Sequence, residues 1–195
     1  MEKHKQLVPT TSMNFALRSR PSFFIGTYLI VFALVTKTVL SGFVTDASAF
    51  AFLTVDLLEM VLLLFSLLLL LFGLLALFFG NRSHLRSMGY ALWNKKSKKV
   101  MWLLFLLLGI GYTLGLYLLR NGYELYIIPT CIVYYGFMII GLNFSKHLSL
   151  YLFSLCCICI GFLPLCVDGF GLYSIGILGI AQYIFSYIQH RKRRF

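Results

Sequence analysis

Lys37, Asp56 and Glu59 are charged residues that fall inside or at the head of long apolar runs in this 195-residue chain. An amine beside one or two carboxylates, away from bulk water, can bind a cation or pass a proton, because such charges are costly in a membrane and need partners. Counted from Asp46, Lys37 lies nine residues back and Asp56 ten forward. On antiparallel helices both would sit about 14 Å of helix rise from the tip. Glu59 follows one turn deeper on the same face. A plainer reading is equally concrete: Asp56 lies at the interface, Lys37 snorkels toward it, and the pair pins two helices. Contact with a partner subunit is a third use.

Cysteine offers a second chemistry. Cys156 and Cys159 form a C-x-x-C, and Cys131 lies about as far from its own turn as Cys159 does from the next. Cys131, Cys156 and Cys159 are thus a candidate thiol or soft-metal site. Against this, a redox C-x-x-C belongs at an accessible helix start, and free cysteine packs as a small hydrophobe. All five cysteines lie in apolar segments, which argues against an extracellular disulfide framework. There is no nucleophile with a base, no histidine and carboxylate cluster at metal spacing, and no phosphate-cradling glycine loop. The expectation is therefore no metal and no cofactor, and a function that leans away from enzymatic catalysis without excluding it.

The elements that would carry these residues follow from composition. The chain is 60% hydrophobic, 17% aromatic and 12% charged, which leaves little water-facing surface. A bilayer core needs about 20 apolar residues in a helix. Segments 23–44, 50–79, 100–119, 123–143, 148–167 and 170–188 meet that need. The first has no small-residue cleavage site after it and reads as a span, not a signal peptide.

Net charge is +11, but the basic residues stand in short tracts between apolar segments, which excludes a nucleic-acid face and points to a membrane surface. With the N-terminus inside, 15 of the 17 Lys and Arg residues collect on one side. The positive-inside rule gives an all-α polytopic integral membrane protein: six transmembrane helices in three hairpins, N-in and C-in. Asn121-Gly122 and Asp168-Gly169 read as tight outer turns. The parts are a basic cytoplasmic segment 1–22, a first hairpin 23–80, a basic cytoplasmic loop 81–99, two tandem hairpins 100–190 and a basic tail 191–195. The tandem hairpins align at a 47-residue offset around their outer turns, a possible parallel repeat. In the basic loop, Leu85, Met88, Leu92 and Trp93 fit one face of a short helix on the inner leaflet, with lysines reaching anionic lipid.

Glycines Gly111, Gly115, Gly136, Gly176 and Gly179 mark close helix approach. Pro129 and Pro164 would loosen their helices. A polar face through the later spans has only Tyr112, Tyr134, Tyr135 and Gln182 to build on. In plan the chain is loosely similar to small acid-resistance membrane proteins of bacteria. In size and span count alone it is similar to substrate-binding subunits of energy-coupling-factor transporters. No motif ties it to either, so no family is assigned.

Three functions remain. The first is a non-enzymatic subunit or accessory of a membrane assembly in a bacterial inner membrane, with the lipid bilayer and a protein partner or homo-oligomer around it. The second is a small-solute or proton carrier using Lys37, Asp56 and Glu59. The third is a lipid-acting membrane enzyme.

Overall fold

A computed structural model describes residues 17, 19–44, 55–87, 95–142, 148–167 and 169–191. They form helices α1 (Ser19–Val44), α2 (Val55–Ser87), α3 (Lys95–Arg120), α4 (Glu124–Leu142), α5 (Leu148–Cys166) and α6 (Gly171–Arg191). All six are long and apolar enough to cross a membrane. The basic segment up to Ala16, the turn around Asp46, the residues Met88, Leu92 and Trp93, and the tail from Lys192 lie outside the described residues.

Helix ends and hydropathy ends differ. α2 continues to Ser87 and α3 starts at Lys95, so both run into the basic stretch 81–99 that the sequence reading assigned to a loop. Leu85 accordingly belongs to α2 and not to a separate helix on the membrane surface. The reason is local: residues such as Lys and Arg are good helix formers, and a helix already nucleated extends at one hydrogen bond per added residue. Pro21 enters the first turn of α1, where no intrahelical donor is lost.

The interior joins a hydrophobic cluster on α4, α5 and α6, with Ile132, Ile139, Phe153, Ile160 and Phe185 at its centre, to a set of small and polar residues. Gln182, Ser22, Ser154, Ser174 and Cys157 are fully buried, while Leu, Phe and Ile side chains cover the outside. That distribution suits a lipid solvent, in which apolar side chains gain nothing by hiding and helices associate through close backbone approach and polar contacts. α1 packs most extensively on α6, and α4 on α5. At the first crossing, a Cβ on Gly26 would stand 2.8 Å from the Gly179 carbonyl oxygen, and one on Gly179 would stand 2.9 Å from that of Gly26. At the second, the Ser154 hydroxyl donates to the Gly136 carbonyl at 2.6 Å, and Gly161 abuts the backbone of Pro129 and Val133. Phe153 and Phe185 stack at 4.4 Å and tie α5 to α6.

Chain neighbours also pack, α1 on α2, α3 on α4 and α5 on α6, with α4 touching α6. α2 is held extensively only by α1, and α3 only by α4. The helices therefore form an open arc, with α2 and α3 at its two ends. The α3–α4 turn closes through Gly122 at φ 75°, with the Tyr123 amide donating to the Leu118 carbonyl at 2.9 Å. A left-handed residue just past a helix end lets the last carbonyls find donors. Gly169 has the same conformation, φ 76°, between α5 and α6.

Candidate functional site

The open side of the arc encloses a cavity of about 350 Å³, lined by α1, α2, α3, α4 and α6. That is the size of a small-molecule site. On α2 it runs from Ser66 to Leu77, past Gly73, whose absent side chain leaves open space. α1 contributes Ile25 to Phe32, including Tyr28, and α3 contributes Leu108, Gly111 and Tyr112. The walls carry no charged side chain.

Most polar groups on these walls are already engaged. The Ser66 hydroxyl donates to the Leu63 carbonyl of its own helix at 2.7 Å. Tyr134 donates to the Leu107 carbonyl on α3 at 2.6 Å. This reach depends on Gly111, where a Cβ would stand 2.7 Å from the Tyr134 ring. The Tyr135 hydroxyl accepts from the Gln182 side-chain amide of α6. Gln182 is fully buried, and its own carbonyl oxygen has no partner among the described residues. Tyr28 and Tyr112 bring the other hydroxyls, but leucine, isoleucine and phenylalanine make up most of the lining, so water finds little to hold and an apolar occupant suits the cavity better.

Tyr112, Tyr134 and Tyr135, which the sequence offered only as scattered polar residues, are thus gathered on one cavity wall, and Gln182 joins them through Tyr135 from outside the lining. Cys131 also lines the cleft. Cys156 and Cys159 are exposed on α5, outside that lining, and all five cysteines are free. No group of three His, Cys, Asp or Glu side chains among the described residues is placed to hold a metal ion.

Lys37 has a different partner from those anticipated. It donates to the Tyr173 hydroxyl on α6 at 3.0 Å, and lies 4.7 Å from the centre of that ring. Among the described residues its contacts are with Tyr173 and not with Glu59, which is exposed on α2. Asp56 belongs to the first turns of α2, and its side chain lies outside the described residues. Of the singled-out glycines, Gly111, Gly136 and Gly179 stand against neighbouring helices and Gly115 is in ordinary contact with the Cys131 sulfur. Gly176 has open space around it. The sequence reading did not single out Gly26, Gly73 or Gly161. Gly26 does stand four residues after Ser22, a small-x-x-x-small spacing that could have marked it; Gly73 has leucine at both of those positions and Gly161 has cysteine and leucine, so neither carries that signal.

Fold and site together describe an all-α chain of multi-pass membrane type, with an apolar cleft among its spans. No protein-family model, curated protein or solved structure matches it.

Proposed function

We propose that the protein is a non-enzymatic integral membrane protein that takes an apolar molecule from the surrounding bilayer into the cleft between α1–α2 and α3–α4. The observation that carries this is the uncharged cavity of about 350 Å³ on the open side of the arc. α2 and α3 are not held together extensively, so a molecule dissolved in hydrocarbon can enter sideways without crossing water. The test is photocrosslinking in liposomes with a lipid that carries a diazirine on its chain. Adducts are expected on peptides containing Gly73 and Tyr112. Adducts spread evenly over the outer faces of α5 and α6 would remove the reading.

The exposed ends of the arc favour a second reading, a subunit or accessory of a membrane assembly. Only 6% of the apolar window is buried in each of α2 and α3, against 39% in α5 and α6. Partner helices would find their largest free surfaces there. Native mass spectrometry of the protein, purified in mild detergent from its own membranes, tests this. A stoichiometric partner protein supports it, and a lone monomer removes it.

A further inference from the structure

The cleft is apolar along its length, but one end of the arc is basic. The start of α1 and the end of α2 meet there, with Arg20 donating to the Ser83 hydroxyl at 3.4 Å. Arg82 is exposed beside that contact. Lys98 and Lys99 are exposed near the start of α3, a helix joined to the end of α2 by only residues 88–94, so they belong to the same end. Asp56 and Glu59 fall in the first turns of α2 and Glu124 opens α4 just past the end of α3, so all three belong to the opposite end. The open side of the arc is therefore flanked at one end by cations from three helices, with no carboxylate among the described residues nearby.

Spacing links that rim to the cleft. Ile25 is five residues beyond Arg20, and Leu77 five before Arg82, so the walls begin about 7.5 Å of helix rise from the arginines. Along α2 the cleft continues from Leu77 to Ser66, which is about 16 Å of rise. One leaflet of the hydrocarbon core is about 15 Å deep, half the bilayer value. A chain lying against α2 would thus be accommodated over one leaflet's depth, with its headgroup level with the basic rim.

We propose that the cleft binds one anionic phospholipid, its phosphate held by the rim of Arg20, Arg82, Lys98 and Lys99 and one acyl chain lying in the cavity. The inference rests on the cleft being a binding site, and it adds the identity of the occupant. Charge complementarity selects the headgroup, since basic residues at the membrane surface attract anionic lipid. The dry walls select the chain.

The test is native mass spectrometry from nanodiscs holding equal amounts of phosphatidylglycerol and phosphatidylcholine with identical oleoyl chains. The wild-type protein is expected to retain one phosphatidylglycerol. Gly73→Trp, which projects a ring into the cavity, is expected to release it. Gly73→Leu, at a position with open space for the new side chain, is expected to reduce it, and serves if the larger residue disturbs folding. The Arg82→Gln/Lys98→Gln pair is expected to keep a bound lipid but lose its headgroup preference by about tenfold or more. Retention of either lipid equally by the wild type overturns the anionic assignment and leaves the cleft reading intact. Retention undiminished by both Gly73 variants, or no retained lipid at all, overturns both.

Discussion

Tyr135 of the cleft wall is bonded to Gln182, a fully buried amide outside the cavity lining, and removing one partner is not equivalent to removing the other. Tyr135→Phe takes away the hydroxyl bonded to the Gln182 amide and leaves a fully buried side chain with neither end satisfied. Gln182→Leu removes the amide and its already unpartnered oxygen together, and leaves a tyrosine that is only part-buried. Stranding a buried polar group costs about 1–3 kcal/mol, whereas hydrogen bonds between membrane helices average about 0.6 kcal/mol. Tyr135→Phe is therefore expected to destabilise the protein more than Gln182→Leu, read as unfolding midpoints in mixed micelles. The reverse order would mean that Gln182 supports something besides Tyr135. At this scale the sequence was legible in residue type but not in direction around the helix. Counting residues from Asp46 put Lys37 at the depth of Asp56, yet depth says nothing about which side of α1 a residue occupies. Because α1 packs most on α6, Lys37 reaches Tyr173. Lys37→Met is accordingly expected to lower the melting temperature only slightly, since both partners are exposed. A large loss would revive a buried charge group built with Asp56 or Glu59.

Whole helices respond to glycine according to what faces it. At Gly26 the neighbouring atom is the backbone oxygen of Gly179, which cannot move without parting α1 from α6. Gly26→Leu is expected to cost about 1–3 kcal/mol, the usual penalty of overpacking, and to expose Ser22 and Gln182. At Gly176 there is open space, so Gly176→Ala should add about 0.5–1 kcal/mol by helix propensity. Melting temperatures of the two variants check this. A neutral Gly26→Leu would show that the α1–α6 crossing is looser than described. The sequence made the six helices legible because each needs a near-continuous apolar run, a signal that outlasts uncertain ends. Boundaries were less legible: hydropathy stops at residue 79, while the backbone ladder of α2 continues to Ser87. The matching φ values of Gly122 and Gly169 stand at the 47-residue offset, but a tight turn after any helix asks for the same conformation, so they do not distinguish a repeat.

For the molecule as a whole, the arc and the charge distribution depend on one orientation. If Arg20, Arg82, Lys98 and Lys99 lie at the cytoplasmic surface, Asn121 and Gly169 lie at the opposite surface, because α3 and α5 each end there. The sequence reading expects 15 of the 17 basic residues on that first side, and on that expectation inserting the chain the other way would carry nearly all of them across the bilayer. Single cysteines placed at Lys99 and Asn121 read this out in a background whose native cysteines are replaced by serine or alanine. A membrane-impermeant maleimide added to intact cells is expected to label Asn121→Cys, and to reach Lys99→Cys only after the membrane is opened. The opposite pattern would invert the protein and move the basic rim to the outer leaflet. The cleft itself was not legible in the sequence, because it arises from what α2 and α3 do not touch. Apolar periodicity records a lipid-facing wall and a cavity wall identically, since both are leucine-rich. That equivalence gives the maleimide experiment a second use: if a phospholipid is drawn from one leaflet, the labelling pattern also identifies the leaflet that supplies it.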